Sequence, residues 1–146
     1  MNWKMKNGYI MGMVAGAIAG FVDNIASVLA IYLGLIIGLY EALIENPWDI
    51  SWLVSQFAGH LALNIIWGMV FGIIFAMIYD SIPSNGIAKG VVFSLIFYFL
   101  ISTIRPNSFS AAYGEIWWVK VGIWTGFFAS VAYGLVLGLL YRKPPK

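Results

Sequence analysis

Four stretches of this chain are long, apolar and almost free of charge: residues 9–40, 57–79, 87–104 and 118–141. No other feature restricts the fold so tightly. A hydrocarbon layer of about 30 Å is crossed by roughly 20 apolar residues as helix. Inside it the backbone finds no water to bond, so helix is the expected form of each stretch. Only 10% of the 146 residues are charged, against about 25% in a soluble domain. That is too few to cover a water-facing surface. A soluble domain, a disordered tail and a DNA-binding module are thereby excluded. The expected fold class is an all-α integral membrane protein with four transmembrane helices, in one domain covering residues 1–146.

The first stretch would make a helix of about 48 Å, and Asp23-Asn24 interrupts it. Residues 10–22 are too short to cross alone, so one long tilted or kinked helix is expected. Lys4 and Lys6 ahead of an apolar run mimic a signal peptide. The run is too long and too glycine-rich for a typical signal core, and it reads as a retained first span.

Basic residues set orientation. Lys4, Lys6, Lys89, Arg142, Lys143 and Lys146 fall on the side of the termini, and Arg105 and Lys120 fall opposite. Both termini are therefore expected in the cytoplasm, and the expected location is the cell membrane. Aromatic belts agree. Trp3, Tyr9, Tyr79 and Tyr141 mark the inner interface, and Tyr40, Trp48, Trp52, Tyr113, Trp117 and Trp118 the outer one. Residues 46–56, with Trp48 and Trp52 one helical turn apart, read either as an interfacial amphipathic segment on the outer surface or as an ordinary loop. The tail Arg142-Lys143-Pro144-Pro145-Lys146 reads as an inner-leaflet anchor attracted to anionic lipid.

The two halves resemble each other. Asn7-Gly8 followed by Gly12 matches Asn85-Gly86 followed by Gly90, an offset of 78 in sequence number. At an offset of 62, Phe71, Gly72, Tyr79 and Pro83 meet Tyr133, Gly134, Tyr141 and Pro145. Each half holds two spans, so the expected arrangement is a parallel two-span repeat with its axis along the membrane normal.

Small residues mark helix contact faces, because lipid gives apolar helices no other reason to associate. Gly8, Gly12, Gly16 and Gly20 recur at every fourth position, and Gly34 and Gly38 follow. Gly68 and Gly72 lie in the second span, Gly90 in the third, and Gly126, Gly134 and Gly138 in the fourth. Packing within one bundle accounts for many of these. Their number also suggests a face shared with another chain.

Ionisable and polar residues within a span are costly and are candidates for function. Asp23, Asn24, His60, Asn64, Arg105 and Thr125 all fall in the outer half of the layer. Three readings compete. In one, Asp23 pairs with His60 or Arg105 and the asparagines bond across helices. In the second, they form an outward-facing site for a solute, proton or ion, with His60 titrating near neutral pH. In the third they bind a metal or catalyse. One His and one Asp are thin for a metal site, and no nucleophile elbow, H-E-x-x-H or di-metal pattern is present. The absence of cysteine removes disulfides and thiol chemistry.

The sequence thus predicts a non-enzymatic protein without cofactor or metal. It predicts an accessory or scaffold subunit in a homo-oligomer or larger membrane complex, with membrane lipid and other membrane subunits as partners and no nucleic acid. The alternative is a small transporter or channel built around Asp23 and His60.

Overall fold

The computed structural model describes residues 3–38, 50–104 and 122–143. The described residues form four helices and no strand: α1 (Trp3–Ile36), α2 (Ile50–Ile78), α3 (Ile87–Ile104) and α4 (Ile123–Leu140). Three of them are long and apolar enough to cross a membrane, over Asn7–Ile36, Phe57–Ser81 and Ile123–Leu140. The apolar part of α3 is shorter, Ile87–Ile101.

α1 runs without a break through Asp23-Asn24. Neither residue is a helix breaker of the kind proline is, and both remain in helical register. The helix ends at a turn where Gly38 adopts φ +68° and its N–H bonds the Leu35 carbonyl. The sequence reading put Gly38 in a packing stripe, but this left-handed position is a helix stop that glycine occupies without strain. Residues 50–56, read as part of a surface segment or loop, instead continue α2. No proline or glycine lies between Ile50 and Ala58 to end the helix. Trp48 and Tyr40 lie outside the described residues, as do Tyr113, Trp117, Trp118 and Lys120.

Neighbouring helices are antiparallel. α1 packs on α2 and on α4, and α3 packs on α4. In the α1–α2 seam, Gly12 faces Gly72, Gly16 faces Gly68, and Gly20 faces Asn64. In the α3–α4 seam, Gly90 faces Gly134, while Gly138 lies against Ile87 and Gly134 against Ser94. A side chain at Gly16 or Gly72 would run into the backbone of the opposite helix, so only glycine permits this approach. Gly8 and Gly34 are buried as well. Gly126 lies under the ring of Tyr98, whose hydroxyl donates to the Ile123 carbonyl at 2.8 Å.

The two seams meet at points that correspond. Offsets of 78 and 62 carry the facing pair Gly12–Gly72 onto the facing pair Gly90–Gly134.

The α2–α3 side is built differently. Here the backbones stay apart and aromatic rings fill the gap. Phe71 stacks on Phe97 at 5.1 Å, Phe97 on Phe93 at 4.7 Å, and Phe93 on Phe75 at 5.1 Å. Phe75, fully buried, then meets Tyr79 and Tyr141 at 5.4 and 5.3 Å. These offset and edge-on geometries are the favourable ones for rings.

The end of the bundle that carries α2's last turn is tied together by polar contacts. Lys89 Nζ donates to the Tyr79 carbonyl at 2.6 Å and sits 4.4 Å from the Tyr79 ring centroid. A cation there satisfies a terminal carbonyl and complements the negative end of the helix dipole. Lys143 pairs with Asp80. Tyr9 lies close enough to Tyr141 to act on it electrostatically, so the start of α1 and the end of α4 share this end. Burial, with Tyr79, Asp80 and Tyr9 nearby, pushes the Tyr141 phenol above the usual tyrosine range.

Candidate functional site

Among the described polar residues of the spans, Asn24 and Asn64 are brought together. Asn24 is 2% exposed on the α2-facing side of α1. Its Nδ2 donates to the Phe57 carbonyl at 2.9 Å, and its Oδ1 accepts from Asn64 Nδ2 at 3.0 Å. Gly20 makes room for this pair, because it lets α2 approach at Asn64. The two amides lock α1 to α2 where the glycine seam ends. Both polar groups of the Asn24 side chain are thus spent on α2.

His60 is exposed and has no hydrogen-bond or ion-pair partner among the described residues. It lies one helical turn before Asn64 on α2. Thr125 is half-buried, with its hydroxyl 3.5 Å from the Gly122 carbonyl of its own helix turn. Arg105 lies outside the described residues.

Asp23 is a different case. It follows Ala15 and Ala19, both buried, at four-residue steps along α1. It is half-buried and has no hydrogen-bond or ion-pair partner among the described residues. Its charge bears on Tyr133 of α4. Tyr133 is 8% exposed, and its hydroxyl crosses the bundle to donate to the Gly68 carbonyl of α2 at 2.9 Å. Gly68 is itself a seam residue, so one carbonyl ties α4 to the α1–α2 pair.

Tyr133 was absent from the sequence-derived polar set. It entered only as the partner of Phe71 in the repeat. A signal was available: Tyr133 lies well inside its span, whereas belt tyrosines sit at span ends. A hydroxyl at that depth needs an acceptor in the protein. Trp124 is similar, its Nε1 donating to the Ala30 carbonyl at 2.8 Å.

Chemically, this arrangement offers one carboxylate, one phenol and two amides already bonded to each other. Among the described residues no three His, Asp or Glu side chains converge as metal ligands. An apolar pocket of ≈350 Å³ opens between α1 and α2 beyond the asparagine pair, lined by Ile25, Val28, Leu29, Val54, Phe57 and Ala58. The chain matches no family model, no curated protein and no solved structure.

Proposed function

We propose that the chain is a four-span integral membrane protein, with both termini on the cytoplasmic side of the cell membrane, acting as an accessory or scaffold subunit. Membrane insertion is supported by large side chains such as Leu29, Leu63, Ile66, Trp67, Met77 and Phe99, each more than half exposed. Soluble monomers do not present so continuous an apolar surface. The orientation is supported by Lys89, Arg142 and Lys143, which share the end of the bundle where α1 begins and α4 finishes. The corresponding seams, Gly12–Gly72 and Gly90–Gly134, support a parallel two-span repeat.

The observation that carries the subunit reading is the outward face of α2. The glycines of both seams are covered within the chain. Gly59 and Ala62 are instead exposed on α2, and a side chain at Gly59 would meet nothing within 4 Å. Small exposed residues on a spanning helix admit a neighbouring helix closely.

The test is native mass and composition after gentle extraction, for wild type and for Gly59→Leu. Foreign subunits or a homo-oligomer present in the wild type and lost in Gly59→Leu support the reading. A lone chain in both defeats it.

A second reading rests on Asp23. A carboxylate inside a spanning bundle is a functional candidate by default, and it supports a small transporter or channel. His60, on the neighbouring helix α2, is exposed. Asp23→Asn should abolish solute or ion flux in vesicles while the bundle still assembles. Unchanged flux removes this reading.

A further inference from the structure

We propose that the end of the bundle where α2 and α4 finish and α3 begins is a docking surface for the headgroup of an anionic phospholipid, held by Lys89, Arg142 and Lys143. The inference rests on the membrane insertion proposed above and adds to it a partner of stated chemistry at a stated place.

Three segments build this surface, and the fold fixes them on one another. A short turn containing Ser84 and Gly86, both at positive φ, brings the start of α3 back beside the end of α2. Gly138 lets α4 in against Ile87. The backbone leaves α4 in extended conformation at Tyr141. The ring of Tyr141 is buried and sits on Phe75 and Tyr79, at 5.3 and 5.0 Å. Arg142 and Lys143 therefore follow directly from an anchored residue. The sequence reads them as part of a basic tail; in the structure they belong to a fixed cluster with Lys89.

Two of the cations converge on consecutive residues. Lys89 Nζ donates to the Tyr79 carbonyl, and Lys143 pairs with Asp80. Neighbouring Cα atoms lie about 3.8 Å apart, so ammonium groups from α3 and from beyond α4 are gathered at one point. Arg142, next to Lys143, is exposed. Among the described side chains of this end, three cations stand against one carboxylate, Asp80. An ammonium and a guanidinium each carry several N–H donors, and the Tyr79 carbonyl occupies one of those on Lys89. The Lys143–Asp80 pair is exposed to solvent, where such pairs are weak. A phosphodiester can therefore draw on all three side chains.

What borders the cations favours a lipid over a soluble anion. Met77, Ile78, Ile87, Leu139 and Leu140 are all exposed and lie within one helical turn of the cluster in sequence. A phosphate joined to acyl chains matches both parts of this surface, charge at the rim and apolar side chains beside it. A soluble phosphate matches only the rim. Each Lys or Arg near an anionic leaflet strengthens attraction by a factor of about five, and the attraction falls off within a Debye length.

The test is lipid binding to the full chain in detergent, counted by native mass spectrometry. The probes are phosphatidylglycerol and phosphatidylcholine with identical acyl chains. Phosphatidylglycerol should bind better, and its advantage should shrink in high salt. Arg142→Gln and Lys143→Gln should each reduce that advantage about fivefold. Asp80→Asn, which removes the opposing carboxylate, should raise it. Glycerol phosphate, the soluble part of the headgroup, should displace the lipid only in large excess. Displacement at matching concentration overturns the lipid assignment in favour of a soluble anion. Equal binding of the two lipids, or an advantage that Arg142→Gln and Lys143→Gln leave unmoved, overturns the docking surface while membrane insertion stands. Binding of neither lipid removes the insertion reading, and the docking surface with it.

Discussion

Adding one methyl group at Gly16 tests whether backbone contact holds α1 to α2. The new Cβ of Gly16→Ala would lie 2.9 Å from the carbonyl carbon of Gly68 and from the Cα of Gly72, and closer still to the Gly68 oxygen. Ordinary contact begins at 3.4 Å, so the helices must separate by more than half an ångström. The obstructing atoms are backbone and cannot rotate aside. The separation spreads along the whole Gly12–Gly16–Gly20 row and weakens every pair in it. Overpacking of this kind costs about 1–3 kcal/mol. The alanine returns up to ~1 kcal/mol through its better helix propensity. A net loss of about 1–2 kcal/mol is expected. Gly59→Ala is the matched control, since its Cβ meets nothing within 4 Å and only the propensity gain remains. The assay is reversible unfolding in mixed micelles, titrated with denaturing detergent and followed by tryptophan fluorescence. If Gly16→Ala matches wild type, or if the two variants shift stability equally and in the same direction, backbone contact does not hold this seam.

Other substitutions separate the remaining roles. Asn24→Ala leaves Asn64 and the Phe57 carbonyl without their partner, and should cost about 1 kcal/mol, two interhelical hydrogen bonds at roughly 0.6 kcal/mol each; the same titration reads it. Asp80→Asn removes an exposed ion pair with Lys143, and its effect should stay below about 1 kcal/mol and vanish in high salt. The raised Tyr141 phenol means that the folded state holds its proton more tightly than the unfolded chain. That contribution is complete below about pH 10 and is lost as pH rises through the folded value. Tyr141→Phe, which keeps the ring contacts, should flatten the alkaline fall in stability measured by pH-dependent unfolding.

The helices were legible because long apolar runs carry their own length signal. α3 was read as residues 87–104 and is Ile87–Ile104. Interior continuity was also legible: one helix through Asp23-Asn24 needed only the observation that residues 10–22 are too short to cross. Ends were harder. Gly38 looks like any other glycine in a four-residue row until its φ shows it terminating the helix. The start of α2 was masked by Trp52, Ser51 and Ser55, polar and aromatic residues that suit a surface segment as well as a helix. The site was the least legible part. Spacing tells which residues share a helix face, but not which face meets which helix. Asn24 and Asn64 met because Gly20 lets α2 in at that height. His60, four residues from Asn64, is exposed. Tyr133 was overlooked because a tyrosine in an aromatic-rich span attracts no notice until its hydroxyl needs an acceptor.

The brevity of α3 has a consequence for the surrounding lipid. Its apolar part, Ile87–Ile101, spans about 22 Å as helix, while α1 beside the opposite hairpin extends to about 50 Å. A bilayer cannot match both. Around α1 a tilt absorbs the excess, but a short helix offers no such adjustment, and the leaflets must pinch toward it. A thinned patch is the expected consequence if this chain crosses a bilayer with α3 as one of its spans.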